Sequence, residues 1–261
     1  MSINYYHIDT FTDNIFSGNP AGVCILSNKW LPVDIMQKIA FENNLSETAF
    51  VLQEENLFSI RWFTPVVEVD LCGHATLAAA HIFFNHLGYE KSKISFDSRS
   101  GPLHVYKQNN LCVLDFPADI ITPVKINIEL QACFNVLPSE VYKGKTDLLF
   151  IYSSEEDIVN IQISLENISR LNCRGVIISA PGEKSDFVSR FFAPQSGIDE
   201  DPVTGSAHTT LVPYWSKQLN KNELTALQLS KRGGSLFCTN KGDRILIGGS
   251  SVTYKTGNIL I

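Results

Sequence analysis

Apolar positions in the first half of the chain fall into short runs typical of β-strands, interrupted by two stretches with a helical period. One helix begins at Pro32, and Ile35, Ile39 and Ala40 share its apolar face. The other helix is predicted over residues 73–87. Strands are predicted at residues 5–10, 21–26, 48–52, 58–63, 93–96, 103–106 and 111–116.

The second half repeats this style after a stretch from Pro117 to Pro123 that shows little periodicity. We place a domain boundary there, which predicts halves at residues 1–117 and 118–261. The main helix of the second half is predicted over residues 206–219. Its strands are predicted at residues 148–152, 175–179, 187–192, 228–230, 236–239, 244–247, 252–255 and 258–261.

A short repeat relates the two halves. Residues 61–72 (RWFTPVVEVDLC) match residues 190–201 (RFFAPQSGIDED) without a gap, at a spacing of 129 residues. Each copy continues through a glycine into a helix rich in small residues. We interpret the repeat as a duplicated αβ unit. It pairs Cys72 with Asp201, each just ahead of its helix.

Composition and charge exclude several functional classes. The 261 residues carry 21 Lys and Arg against 27 Asp and Glu, a formal net charge of −6, and 44% are hydrophobic. The chain can therefore bury a large core, but it lacks the basic clusters that bind nucleic acid or anionic membranes. No apolar run approaches the roughly 20 residues of a membrane helix. The start of the sequence lacks a signal-peptide pattern, so we expect a cytoplasmic protein.

Cysteine and histidine spacing predicts no metal site. The six cysteines form no CxxC pair, and we expect most of them to be small buried apolar residues. His74, His81 and His86 form neither an HxxxH nor an HExxH pair. Cys72 lies two residues before His74, so a thiolate nucleophile is an alternative to a buried cysteine.

Two predicted helix starts offer seats for an anion. Backbone N–H groups at Gly73–His74 and at Gly205–Ser206 lack helical acceptors, and glycine permits a ligand to approach closely. A carboxylate or enolate suits these starts. Neither a GxxxxGK[ST] loop nor a GxGxxG turn is present, so no nucleotide cofactor is predicted. The alternative is that the glycines only permit tight turns.

Two carboxylates are candidates for proton transfer. Glu47 lies where a helix gives way to an apolar strand, a setting that raises a carboxyl pKa towards neutrality. Asp201 precedes Pro202, which favours extended backbone and presents the side chain. His74 at a helix start is expected to be neutral and to donate or accept a hydrogen bond. The alternatives are an exposed turn at Glu47 and a solvated acidic turn around Asp201.

Four segments occur in order and resemble the signature blocks of the PhzF family, which contains the phenazine-biosynthesis isomerase. They are residues 18–23 (GNPAGV), 44–50 (NLSETAF), 70–77 (DLCGHATL) and 199–208 (DEDPVTGSAH). The resemblance implies an α+β, diaminopimelate epimerase-like fold. Such a fold has two pseudo-twofold-related halves, each a curled β-sheet around a central α-helix, with the active site in the cleft. The last strand is expected to cross back and complete the first half.

The resemblance also implies roles for individual residues. The glutamate that moves a proton in the family corresponds to Glu47, and the other catalytic residues correspond to Asp201 and His74. Substrate binding is implied for Asn19, Cys72, Gly73, Gly205 and Ser206. The implied protein is a cofactor-independent isomerase of a small carboxylate-bearing substrate and a homodimer.

One departure leaves alternatives open. Related racemases and epimerases use two cysteines, one from each half, whereas the repeat here pairs Cys72 with Asp201. A relay through the single carboxylate of Glu47 therefore suits this sequence better. The alternatives are an amino-acid epimerase or racemase that uses Cys72 and Asp201, and a non-catalytic small-molecule binding protein.

Overall fold

The chain forms two compact units in this computed structural model, which describes residues 2–55 and 57–261. Unit 1 consists of Met1–Asp115 and Gly248–Ile261, and unit 2 consists of Phe116–Ile247. The division predicted from the sequence, at residues 117 and 118, stays a prediction.

The strands greatly outnumber the helices. In chain order the strands are β1 Ser2–Thr10, β2 Asn19–Ser27, β3 Glu47–Glu54, β4 Leu57–Phe63, β5 Glu68–Val69, β6 Lys93–Asp97, β7 Leu103–Gln108, β8 Leu111–Pro117, β9 Thr122–Pro123, β10 Glu140–Lys143, β11 Asp147–Ile151, β12 Gly175–Pro181, β13 Phe187–Phe192, β14 Glu223–Gln228, β15 Gly234–Asn240, β16 Arg244–Gly249 and β17 Ser251–Leu260. The helices are α1 Val33–Asn43, α2 Gly73–Asn85, α3 Ile128–Gln131, α4 Glu155–Asn160, α5 Leu165–Ser169 and α6 His208–Leu219, with 3-10 turns at Pro194–Ser196 and Gly205–Ala207.

Both units order their strands in the same way. In unit 1, β17 pairs antiparallel with β1, β1 antiparallel with β2, β2 parallel with β3, β3 antiparallel with β4, and β4 parallel with β6. In unit 2, β9, β10, β11, β12, β13 and β14 follow one another with the same sequence of directions. The duplication suggested by a short sequence match therefore extends over the strand order, with β17 in the place that β9 takes in unit 2.

The repeated arginines also make equivalent contacts. The guanidinium carbon of Arg61 lies 5.4 Å from the ring centre of Phe63, and that of Arg190 lies 5.1 Å from the ring centre of Phe192. Each arginine also holds a glutamate with two hydrogen bonds, Glu68 in unit 1 and Glu200 in unit 2. These forked pairs are charge-assisted and fix the direction of the chain just before each site segment.

Helix α2 forms the centre of unit 1. Its residues are buried on every side from His74 to Ala80, and it packs against β1, β2, β3 and β7. The small side chains of α2 allow the strands to approach it closely. A helix that is apolar on all sides, as α2 is, is stable only when it is enclosed by other elements. The equivalent helix α6 of unit 2 packs against β14 and β15.

Several predicted elements differ from those observed. The strand predicted at residues 228–230 is wrong, because the observed strand β14 ends at Gln228. The residues of β14 were not predicted as a strand because they include glutamate and alanine, which have low strand propensity. The two final strands are one, since Gly257 continues the ladder opposite Tyr5 of β1. Helices α3, α4 and α5 were missed because they are too short to show a helical period.

In the part of the chain that the structure describes, no helix has the length and apolar character needed to cross a membrane.

Candidate active site

Glu47 is the first residue of β3 and follows a sharp helix end. Asn44 takes the left-handed conformation (φ 48°) and donates to the carbonyls of Ala40 and Phe41, which ends α1. The next residues lead directly into β3, where Glu47 stands opposite Ala21 of the parallel strand β2. The next five residues of β3 are buried, so the carboxylate lies at the edge of an apolar layer.

A glycine turn places Asn19 at the start of β2. Gly18 has φ +66°, and a Cβ there would lie 2.1 Å from the carbonyl oxygen of Thr10. The Thr10 hydroxyl donates to the Asn19 carbonyl at 3.0 Å. Asn19 is fully buried. The backbone carbonyl of the next residue, Pro20, accepts a hydrogen bond from the His74 ring.

Cys72 precedes α2 and is held by that helix. It occupies the N-cap position in an extended conformation, and the Thr76 hydroxyl donates to its carbonyl at 2.6 Å. Gly73 and His74 are the first helical residues. Their N–H groups have no acceptor within the helix and are available, by position, to an anion.

Glu47, Cys72 and His74 converge in unit 1. Glu47 Oε2 lies 3.4 Å from His74 Nε2, and Cys72 Sγ lies 3.5 Å from His74 Nδ1. The side chains of Glu47 and His74 are 13% and 7% exposed, and Cys72 is buried. The imidazole therefore lies between a carboxylate and a thiol.

Burial decides the charge of His74. Burial lowers the pKa of the imidazole to about 4, and this effect is larger than that of the hydrogen bond to the Pro20 carbonyl, which raises the pKa. The ring is therefore neutral at pH 7, so its contact with Glu47 is not an ion pair. Its Nε2 atom is buried and makes no hydrogen bond with the described residues, which leaves it available to a ligand.

In unit 2, a buried glutamine organises the segment that contains Asp201. Gln228 donates to the carbonyl of Asp201 at 2.8 Å and accepts from the N–H of Thr204 at 2.8 Å. The Thr204 hydroxyl donates to Asp201 Oδ2 at 2.5 Å. These bonds hold the Asp201 carboxylate, which is 8% exposed, in one orientation.

Gly205 and Ser206 lie in a 3-10 turn, and α6 itself begins at His208. Arg174 Nη2 donates to the Ser206 hydroxyl at 3.1 Å and also pairs with the buried carboxylate of Asp147. Arg174 thus holds the turn through the side chain of Ser206. The substrate-binding role predicted for Ser206 depends on its backbone N–H.

His208 is buried in unit 2 and makes stability depend on pH. Burial lowers its pKa from 6.5 to about 4. Below pH 6.5 the unfolded chain binds a proton that the folded chain excludes, so stability is complete above pH 6.5 and falls as the pH drops towards 4. We expect a loss of about 3 kcal/mol, at about 1.4 kcal/mol per pKa unit. Urea unfolding at pH 7.0 and 4.5 measures it.

The matching variant is His208→Asn, which keeps an N–H for the Thr204 carbonyl that accepts from His208 Nδ1 at 2.9 Å. This variant should lose the share of the difference in unfolding free energy between the two pH values that comes from His208, about 3 kcal/mol, and keep the shares of His74 and His81, whose pKa values burial also lowers to about 4. The exposed His86→Asn serves as the control and should behave as wild type. An unchanged pH dependence in His208→Asn would contradict the explanation.

The predicted site residues fall into two groups. Asn19, Glu47, Cys72, Gly73 and His74 belong to unit 1, where Glu47, Cys72 and His74 are in contact. The other group, in unit 2, consists of Asp201, Gly205 and Ser206. The roles assigned to all of them stay predictions.

Sequence reasoning missed Arg174 and Gln228. A lone arginine directly before the apolar strand β12 was a signal for Arg174. Gln228 had no local signal, because its partners Asp201 and Thr204 lie more than 20 residues away in the sequence.

Comparison with known proteins identifies the family. The family model described as phenazine biosynthesis-like protein (PhzC-PhzF) matches residues 8–257. A Pseudomonas aeruginosa protein named as an uncharacterized isomerase is 48% identical over 259 residues, covering 99% of each chain. The crystal structure of a PhzF-family phenazine biosynthesis protein from Enterococcus faecalis has 45% identity and a TM-score of 0.97, covering 100% of both chains.

A more distant structure agrees on the fold. A hydroxyproline epimerase from Agrobacterium vitis is 8% identical, with a TM-score of 0.61 over 99% of this chain and 92% of that one. The α+β, diaminopimelate epimerase-like fold expected from the signature blocks is confirmed. Together with the strong matches, this shows that the chain belongs to the PhzC-PhzF family of phenazine biosynthesis-like proteins and is an isomerase.

Proposed function

We propose that this isomerase moves a proton on a small carboxylate-bearing substrate, without a cofactor, through acid–base catalysis by Glu47. The observation that carries the proposal is the pair formed by Glu47 Oε2 and His74 Nε2, 3.4 Å apart, in which the buried nitrogen makes no hydrogen bond with any residue that the structure describes. A ligand atom placed beside this nitrogen also lies within reach of the carboxylate.

The proposed reaction is a removal and return of one proton. The Glu47 carboxylate takes a proton from a carbon made acidic by a neighbouring carbonyl or double bond, and later returns it to another carbon. The intermediate carries a delocalised negative charge. The N–H groups at the start of α2 are donors suited to that charge.

Proton transfer through Cys72 is a second candidate. Cys72 Sγ lies 3.5 Å from His74 Nδ1, and a thiol beside an imidazole is an arrangement that activates sulfur. The corresponding function is an epimerase or racemase of amino-acid-like substrates that uses Cys72 and Asp201. Glu47 is the stronger candidate because it is only partly buried, whereas Cys72 is buried.

The remaining assignments extend this proposal. Asp201 has a catalytic role, and Asn19, Cys72, Gly73, Gly205 and Ser206 bind substrate, as the signature blocks imply. The resemblance also supports a homodimer.

Deuterium exchange tests the proposed function and does not require the product to be identified. The protein is incubated in D₂O with proline, diaminopimelate, β-hydroxy amino acids and an unsaturated cyclic amino acid, and NMR follows carbon-bound deuterium. Exchange that Glu47→Gln abolishes and Cys72→Ala retains supports the proposal. The reverse pattern favours the epimerase, and binding without exchange favours a non-catalytic binding protein.

A further inference from the structure

Three different metal-ligand groups lie together in unit 1, although their sequence spacing matches no metal-binding motif. One ligand atom from each of Glu47, Cys72 and His74 lies within 4.8 Å of the other two. Among residues 2–55 and 57–261, no other group of three such side chains meets this distance. We propose that these three residues bind Zn²⁺ and that the bound ion inhibits the enzyme.

The ligand set matches the preferences of zinc. Zn²⁺ binds thiolate, imidazole and carboxylate, and three protein ligands with a fourth position open to solvent are typical of accessible zinc sites. Tetrahedral bonds of about 2.0–2.3 Å place ligand atoms roughly 3.3–3.7 Å apart. The contacts of His74 with Glu47 and Cys72, 3.4 and 3.5 Å, fall in this range.

One adjustment is needed, because the two contacts use opposite nitrogens of the His74 ring. With the ion on Nδ1, the nitrogen beside Cys72 Sγ, the Glu47 carboxylate is the ligand that has to move, by a rotation of its side chain. Cys72 and His74 need not move, since both are fixed at the start of α2 and Thr76 holds the Cys72 carbonyl.

One feature of the surroundings opposes a cation. The start of α2 carries a partial positive charge, which disfavours a cation. Two negatively charged ligands, the thiolate and the carboxylate, outweigh this opposition.

Inhibition by the ion rests on the proposed function, whereas binding does not. An ion on Glu47 removes the carboxylate that would take the substrate proton. If Glu47 has no catalytic role, the ion still binds and only the inhibition is lost. A spectroscopic test of binding therefore separates the failure of one proposal from the failure of the other.

Cobalt replaces zinc as the probe because Zn²⁺ has no visible spectrum. Titrating the intact protein with Co²⁺ should produce the strong visible bands of four-coordinate cobalt and a near-ultraviolet thiolate-to-cobalt band, and added Zn²⁺ should remove both. Zn²⁺ should also stop deuterium exchange on any substrate found, and a chelator should restore it.

Variants assign the spectrum to this site. Cys72→Ala should lose the thiolate band, and Glu47→Gln should weaken cobalt binding by at least about 10–100-fold, the loss produced even by outer partners of a metal site. Cys112→Ala, a buried cysteine in β8, is the control and should bind as wild type. Circular dichroism checks that each variant folds.

Two results would overturn the zinc site. One is an octahedral or unchanged cobalt spectrum in the wild-type protein. The other is a thiolate band that persists in folded Cys72→Ala, because another cysteine would then be the ligand. If Cys72→Ala does not fold, unchanged cobalt affinity in Glu47→Gln contradicts the site on its own.

Discussion

Replacing Glu47 with glutamine is expected to slow deuterium exchange into the substrate by about 10²–10⁴-fold, the usual contribution of a positioned acid–base group. Glutamine keeps the size of the side chain and its contact with the His74 ring, but it cannot accept the substrate proton. Because the change alters the proton carrier and not the donors for the anion, kcat should fall much more than KM rises.

The matched control is Glu42→Gln, which changes an exposed glutamate near the end of α1. It should exchange deuterium at the wild-type rate. Thermal unfolding should show that both variants are folded. Exchange by Glu47→Gln at more than about one tenth of the wild-type rate would exclude Glu47 as the main proton carrier.

Replacing Gln228 with methionine is expected to destabilise the protein by about 2–6 kcal/mol. Methionine has a similar volume, but it leaves the Thr204 N–H and the Asp201 carbonyl buried without the partner that Gln228 supplies. Each buried polar group that loses its partner costs about 1–3 kcal/mol. Urea unfolding at pH 7 measures the change.

Gln162→Met is the control for this variant, because Gln162 is exposed. It should change the unfolding free energy by less than about 0.5 kcal/mol. If Asp201 takes part in catalysis, Gln228→Met should also slow exchange at temperatures where it is fully folded. A loss of stability below about 1 kcal/mol would contradict the role given to the buried network.

Much of the fold could be predicted because its signals are local. Alternating apolar residues marked most strands, and the bounds predicted for residues 187–192 agree with β13. The predictions failed where local preference and pairing disagree, as in β14 and at Gly257 of β17, because a strand is completed by its neighbours.

The site was predictable in its parts and not in its contacts. Signature blocks singled out Glu47, Cys72 and His74, but Glu47 lies 27 residues from His74 in the sequence. Only the parallel pairing of β2 with β3, and the packing of α2 against both strands, brings the carboxylate to the ring. The spacing of histidines along one helix therefore could not indicate the cluster of Glu47, Cys72 and His74.

The sequence by itself determined the family, the α+β duplication and the segments that contain the candidate site residues, because signature blocks and strand patterns are short local features of a sequence. The tertiary structure alone decided the burial of His74 and the contacts of Arg174 and Gln228. These properties depend on groups that are distant in the chain, because burial and hydrogen bonding are set by what packs around a residue and not by its neighbours in sequence.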